Sequence, residues 1–417
     1  MNKKVSVLIV VLLLVLGIFS YFMIKSYNNK KIVEEKEKLM SEVIEIKKKQ
    51  DTIKSHYNDV VITNKNSDLY KLEDKKYKKI GNVSEDEILK LDGLDLNNGY
   101  LHIKDLDLYI KYLDVDKYND VVDSDNRYKN YIEFNENVVS KEKVNLYRDD
   151  KLVYTFDYSI DKEIIIKDED GFYIEYLNEL LFIKNDDILK TYEKNNSNDV
   201  VLKELPITVY HFIYLNGDNS CNEMICHSEE QIKSHFEYLK NNNYFTMNTK
   251  EARLFLEEKI RLPRNSILIT IDDGARAENF IPIMEKYGIN ATLFLISSWY
   301  PVDKFKSNYL EIASHTDDLH HPGLCSGGQG SPLKCLDKNK LVNDLKLSRS
   351  KLNNTEAFCF PFYEYNEHGI SSAKEAGFKI AFIGGQIKAK IGVDLYKVPR
   401  ITIHRDTSLN QYINYIK

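Results

Sequence analysis

The residues best placed to do chemistry are acids and histidines in two short stretches. In "SILITIDDGARAENF", Ser266 to Phe280, an apolar run from Ile267 to Ile271 ends abruptly in Asp272 and Asp273, with Gly274 next. In "IASHTDDLHHP", Ile312 to Pro322, His315, His320 and His321 crowd together. Neighbouring carboxylates can divide proton acceptance and metal binding between them, although a DDG sequence alone reads equally well as an acidic turn. His315 and His320 are five residues apart, which does not put them on one helix face, but a loop can wrap both imidazoles around one ion. Two histidines and a carboxylate make a common catalytic shell for zinc, with a position left for water. Taken alone, that stretch could equally hold ordinary surface or buried histidines.

Such groups need elements that bring them to one edge of a scaffold. Ser228 and Gln231 give a capping-box pattern ahead of a helix in "SEEQIKSHFEYLKNNN". The pattern then predicts a strand near 244–247, a helix over 250–259, the strand 267–271, a helix near 278–287 and a strand in "ATLFLI". Beyond the histidines come a helix in "KNKLVNDLKLSRSKLNN", a strand in "AFCFPF", a helix ending at Gly377, and strands in "KIAFIGG" and "KVPRITI". This alternation predicts an α/β domain over 200–417, a distorted (β/α) barrel. At the C-terminal end of a parallel strand, Asp272 and Asp273 face the region where such domains bind ligands.

From roughly Leu205 onward the chain resembles the polysaccharide deacetylases of carbohydrate esterase family 4. The resemblance is carried by "TIDDG", "SHTDDLHH", "FCFPFYEYN" and the preamble "HSEEQIKSHFEYLKNNNYFTMNTKE", in that family's set. It implies that Asp272 is the catalytic base and that Asp273, His315 and His320 hold a divalent metal ion, with zinc the expected one. It implies an oxyanion N–H from Phe362, the residue after Pro361, and a histidine that protonates the departing amine. Two histidines compete for that role. His211, in "ITVYHFIYL", matches the Tyr-His pattern of the branch acting on poly-β-N-acetylglucosamine and is preferred. His404, in "RITIHRD", sits near a Leu-x-His motif but has Thr402 where the Leu would be. His227, His235 and His368 are read as structural. One position departs from the family: the arginine two residues before the motif proline is Cys359, and Arg400 is the candidate substitute.

The resemblance implies a metal-dependent N-deacetylase of polysaccharide containing N-acetylglucosamine, either peptidoglycan or poly-N-acetylglucosamine. The alternative is a catalytically silent glycan-binding wall protein that keeps the fold, a reading favoured by Cys359. "PGLCSGGQGSPLKC", Pro322 to Cys335, lacks the ending of a phosphate-cradling loop and is expected to be a substrate-facing or plain surface loop.

The rest of the chain points to a tethered protein. "VSVLIVVLLLVLGIFSYFMI", Val5 to Ile24, is long enough to span a bilayer and lacks a small-x-small cleavage site, so 1–29 is expected to be an uncleaved signal anchor. Lys25, Lys30 and Lys31 blur the positive-inside rule, and the substrate's location then sets the orientation: single-pass in the cell membrane, catalytic domain outside. Residues 30–57 carry Ile32, Leu39, Val43, Ile46 and Ile53 at heptad-like spacing, expected as a helical stalk able to self-associate. An internal echo of alternating strands predicts two small all-β modules at 58–125 and 126–195, which resemble, the second in particular, bacterial SH3-like wall modules, and the Asn-rich stretch Tyr192–Val201 predicts a linker. A net charge of −6 with interspersed signs argues against a nucleic-acid partner. Of five cysteines, Cys221 with Cys226 and Cys325 with Cys335 could bridge, leaving Cys359 as a buried thiol; free cysteines throughout is the equal alternative.

Overall fold

The computed structural model describes residues 3–54, 60–95, 98–104, 107–118, 126–194, 201–215 and 220–417. The chain divides into two compact units. One comprises Met1–Ser124, Ser140–Ile160 and Tyr176–Asp187, the other Asp125–Val139, Asp161–Glu175 and Ile188–Lys417.

The first unit opens with helix α1, Lys3–Lys54. The anchor expected at Val5–Ile24 falls largely on side chains outside the described residues, those up to Val15. Among the described residues, no helix is long and apolar enough to cross a membrane. Antiparallel strands follow, Ser67–Glu73 on Lys76–Val83 and Ile88–Asp95 on Tyr100–Ile103. The hairpin Val144–Arg148 with Lys151–Phe156 joins them, Tyr154–Phe156 pairing antiparallel with Gly81–Val83. The division expected at 125/126 therefore differs from the one observed. An edge left open by the first β segment is closed by a hairpin from the second, because unpaired strand N–H and C=O groups gain partners that way. The expected linker falls mainly on 195–200, outside the described residues.

The second unit is built on parallel strands, numbered here in chain order: β1 Ile207–Tyr210, β2 Phe245–Met247, β3 Ser266–Asp273, β4 Ala291–Leu295, β5 Leu310–Ser314, β6 Ala357–Cys359, β7 Ile380–Phe382 and β8 Ile401–Thr402. Their order is β7-β6-β5-β4-β3-β1-β8, with β2 also pairing β3. Val398, shortly before β8, forms a parallel bridge to Phe382 of β7, so the sheet curls toward closure. This is the expected curled α/β domain. The strands are buried without interruption, as β1 and β4 show, because a parallel sheet is covered on both faces.

Helices α2 Glu229–Asn241, α3 Thr249–Leu256, α4 Ile281–Tyr287, α5 Lys338–Lys351, α6 Glu367–Ala376 and α7 Leu409–Ile416 intervene. Ser228 caps α2 by accepting from the Gln231 N–H, as its spacing implies. The reciprocal half of that box is missing. The Gln231 amide instead donates to the carbonyls of His404 and Thr407, and its oxygen meets His227 Nδ1. Burial beside those loops gives the side chain better partners than its own N-cap. α6 stops at Gly377, whose φ of 94° is the left-handed conformation that suits glycine.

Candidate active site

β3 sorts its residues by alternation. Ile267, Ile269 and Ile271 pack into one cluster with Phe236 of α2 and Met284 of α4, so Leu268, Thr270 and Asp272 take the opposite, inner face. Asp272 lies opposite Phe294, and Asp273 opposite Leu295, which in turn faces Ser314 of β5. Tyr210 ends β1 opposite Ile271. The register thus brings His211, the two acids and His315 to one end of the sheet.

Asp272 is 1% exposed and is met by Arg400, which is fully buried. Nη1 and Nη2 of Arg400 each donate to one Asp272 oxygen at 2.7 Å, a bidentate pair. Nη1 also donates to Thr270 Oγ1 at 3.0 Å, and Nη2 reaches Cys359 Sγ at 2.7 Å. The guanidinium lies over the rings of Phe294 and Tyr363, 5.5 and 5.3 Å from their centroids. The place left by the missing arginine is therefore filled from β8's approach, with Cys359 beside it. Burial alone would raise the Asp272 carboxyl; the Arg400 charge and hydrogen bonds, helped by His315 and His211, outweigh it and hold the group below the usual carboxylate range.

Asp273 turns the other way. Its φ of 74° is left-handed, and Gly274 after it has φ 115°. A Cβ at Gly274 would stand 2.6 Å from Leu295 Cδ1 and 2.7 Å from Tyr300 Cδ2, so only glycine fits this turn. Asp273 Oδ1 lies 3.3 Å from His315 Nε2 and 3.2 Å from His320 Nε2. His315 Nδ1 stands 2.9 Å from the Cys359 carbonyl, which can only accept, so Nδ1 carries a proton and Nε2 is the atom turned to Asp273. Burial, with the His315 charge nearby, pushes His320 down to about 4, leaving its imidazole neutral. One carboxylate oxygen facing two imidazole Nε2 atoms suits a divalent cation. Asp272, His315 and Cys359 also cluster, but Arg400 already places a permanent cation against both that carboxylate and that sulfur, so this set does not suit a metal.

The loop carrying these histidines is tied down. Asp344 of α5 accepts the N–H groups of Asp317 and Asp318, each at 2.9 Å. The turn after β4 is sewn to both sides of the site: Ile296 N–H donates to the Asp273 carbonyl, Ser297 N–H to Thr316 and Ser298 N–H to Asp317.

His211 is 9% exposed and its Nδ1 has no protein partner. Burial lowers its pKa, against the pull of Asp273 and Asp272, whose charges place it over the same floor. The carbonyl of His404 accepts from the Gln231 amide, and its Nδ1 is also buried without a partner. Pro361 leads into a turn in which Phe362 and Tyr363 both have φ of 59°, and Phe362 packs on His320 with ring centroids 4.4 Å apart. Cys325 is joined to Cys335 and Cys221 to Cys226, and Cys359 is the buried free thiol. Glu364 holds the Gly-rich loop beside the turn, accepting from the N–H groups of Gln329 and Ser331 and pairing with Lys334. His235, read as structural, stacks on Tyr412 at 4.0 Å.

A parallel sheet with this acid–histidine edge has the geometry of a hydrolase site. Residues 259–381 match the family described as Polysaccharide deacetylase, and this part of the chain is a polysaccharide deacetylase domain, a carbohydrate N-deacetylase by class. Among relatives, YxkH of Bacillus subtilis (strain 168), which carries the name polysaccharide deacetylase, is 26% identical over 226 residues, 51% of this chain and 76% of its own. The poly-beta-1,6-N-acetyl-D-glucosamine N-deacetylase of Staphylococcus epidermidis is 27% identical over 203 residues, 43% of this chain and 68% of its own. The solved de-N-acetylase from Aggregatibacter actinomycetemcomitans is 25% identical, covering 51% of this chain and 99% of that one with a TM-score of 0.43.

Proposed function

We propose that this protein is a metal-dependent N-deacetylase that releases acetate from N-acetylglucosamine units of a cell-surface polysaccharide, poly-N-acetylglucosamine or peptidoglycan. The observation that carries the reading is the division of two adjacent carboxylates: Asp272 gripped by Arg400, Asp273 facing two imidazole nitrogens. Relatives named for poly-N-acetylglucosamine support the polymer named first.

A divalent ion held by Asp273, His315 and His320, with zinc the expected one, would supply Lewis acidity toward water and the acetamide carbonyl. Asp272 accepts a proton as water adds to the carbonyl carbon, and Arg400 keeps the carboxylate ionised and aimed for that task. The Phe362 N–H is the donor assigned to the developing oxyanion. His211, in its protonated form, delivers a proton to the amine nitrogen as the C–N bond breaks, giving acetate and a free glucosamine unit; the proton held by Asp272 leaves to solvent and His211 regains one from it before the next turnover. His404 takes second place for this step because the charges of Asp273 and Asp272 act on His211.

The test is acetate release from oligomers of β-1,6-linked N-acetylglucosamine and from peptidoglycan. Activity abolished by chelation, restored by zinc and lost in Asp272→Asn is the expected result; Asp272→Asn that keeps full activity overturns the assigned base. The silent wall-protein reading rested on the absent arginine, and Arg400 removes that motive. An anchor at Val5–Ile24, a self-associating stalk and a wall-facing catalytic domain belong to the same proposal. Protease accessibility of the domain on intact cells checks the orientation.

A further inference from the structure

The Gly-rich stretch 323–330 has an occupant, and it is this chain's own carboxylate. Glu364 accepts from the Gln329 N–H and, at 2.9 Å, from the Ser331 N–H, and Lys334 Nζ lies 2.8 Å from the same carboxylate. A Cβ at Gly328 would overlap that carboxylate, so glycine is what makes room for it. Backbone N–H groups wrapped around an anion in this way form a nest. The nest is closed on itself: Gly323 N–H donates to the Gln329 carbonyl at 2.7 Å, Cys325 N–H to the Gly330 carbonyl at 3.1 Å, and Cys325 is bonded to Cys335.

Glu364 also ends the turn that carries Phe362. Its N–H donates to the Pro361 carbonyl at 3.1 Å, and the Tyr363 N–H donates to the Phe360 carbonyl at 3.0 Å. Between them Phe362 and Tyr363 are both left-handed, at φ 59°. Two successive residues with side chains hold that conformation only where their surroundings impose it. Before the turn, Phe360 N–H is fixed to the Phe382 carbonyl of β7 at 3.1 Å. Within it, the Tyr363 ring lies 5.3 Å from the Arg400 guanidinium. After it, the restraint is the Glu364 carboxylate in its nest.

We propose that Glu364 is a positioning residue for the Phe362 N–H, and that the loop closed by Cys325–Cys335 is the socket that gives it its grip. This rests on the deacetylase reading, in which that N–H meets the developing oxyanion. The histidine loop has separate ties, to Asp344. Loss of Glu364 therefore moves the oxyanion donor and leaves the metal ligands in place.

The experiment uses the full chain loaded with zinc and the β-1,6-linked pentasaccharide of N-acetylglucosamine. Glu364→Ala is expected to lower kcat about 10- to 100-fold, short of the roughly 10²–10³ that removal of a whole oxyanion donor costs. KM and zinc affinity should stay near those of the wild type, because the interaction lost is one made in the transition state. Glu364→Gln keeps an acceptor oxygen and should recover part of the loss. Cys325→Ser combined with Cys335→Ser should act in the same direction, and adding it to Glu364→Ala should cost little more, since both work through one socket. Hydrogen–deuterium exchange reads the turn without turnover: protection across 360–366 should fall in both variants while that across 312–320 holds. Wild-type kcat in either variant, or zinc affinity falling as steeply as kcat, overturns the assignment. If Glu364→Ala fails to fold, the cysteine pair decides by the same measurements. A wild-type protein that releases acetate from no glycan counts against the proposed reaction, and unchanged exchange across the turn then still overturns the socket.

Discussion

Arg400 and Asp272, 128 residues apart in the chain, meet as a fully buried bidentate pair with both contacts at 2.7 Å. The arginine arrives from the strand that nearly closes the sheet, and the acid stands at the end of the strand it approaches. A carboxylate buried without this partner would not stay ionised at neutral pH, and an uncharged Asp272 could not accept a proton.

Arg400→Ala should therefore destabilise the protein by about 3–5 kcal/mol, the cost of leaving a buried charge unpaired, and reduce kcat. Arg400→Lys keeps the charge but loses the fork and should fall between. The folded Asp272 pKa lies below its unfolded value. The pair's stabilisation is thus fully present above the ordinary carboxylate range and is lost only as pH falls below it. Removing Arg400 lets burial raise the carboxyl, so the acid limb of the activity profile should move to higher pH. Thermal unfolding and kcat measured across acid to neutral pH check both statements.

Cys359 touches the same pair, its Sγ 3.5 Å from Asp272 Oδ2 and 2.7 Å from Arg400 Nη2. Burial, the first influence on it, raises the thiol pKa, so it acts as a neutral spacer. Cys359→Ala should cost about 1–2 kcal/mol in a buried site and leave kcat within an order of magnitude, because Arg400 still holds the base. Cys359→Arg forces a second guanidinium into filled space and should be far worse. Combining it with Arg400→Ala should recover part of the loss, and a double-mutant cycle on melting temperature measures the coupling.

His211 and His404 each have a buried, unpartnered Nδ1, so burial does not separate them; the pull of Asp273 and Asp272 on His211 favours it. His211→Ala should lower kcat by roughly 10²–10⁴, the usual weight of a general acid. His404→Ala should act mainly on stability, through the loop tied to Gln231. A larger kcat loss for His404→Ala than for His211→Ala would reverse the assignment.

The acid pair and the two histidines were legible because local spacing carries them: a strand period ends at Asp272, and five residues separate His315 from His320. Arg400 could be named as a substitute, but its grip on Asp272 depends on the sheet curling until β8 comes alongside β1, which no local pattern encodes. The same limit explains the N-terminal β segments. Alternation marked the strands, yet which edge Tyr154–Phe156 would seek, here Gly81–Val83, depends on long-range pairing. Gln231 shows it on the scale of one residue, its capping partner exchanged for two carbonyls 173 and 176 residues away. The Gly-rich loop was marked by its glycines, but only the folded chain puts the Glu364 carboxylate inside it.

Gly274→Ala tests the turn that separates the two acids. The φ of 115° disfavours any side chain, and the new methyl would overlap Leu295 and Tyr300. The expected cost is about 2–4 kcal/mol from backbone strain plus overpacking. Because relief would move Asp273 and with it one donor to the metal, zinc affinity should fall together with melting temperature. Unchanged zinc affinity in a destabilised variant would separate the turn from the ligand set.

Asp344 makes the last prediction, since it holds the histidine loop without being part of the site. Burial raises its carboxyl to about 6, with Asp317 and Asp318 adding to the rise and their backbone N–H groups opposing it. The folded value lies above the unfolded one, so the folded state is favoured most below the ordinary Asp range and loses that advantage as pH rises through about 6. Asp344→Asn removes this pH dependence. It also turns one of two acceptors into a donor facing an N–H, since the wild-type oxygens each take one backbone proton at 2.9 Å. The loop bearing His315 and His320 should then slacken, lowering zinc affinity by about 10-fold, the lower end of what outer-sphere partners contribute. Zinc titration near neutral pH, with melting curves on both sides of the Asp344 transition, measures the two effects separately. Zinc affinity equal to that of the wild type would show that the β4 turn alone suffices to hold the loop.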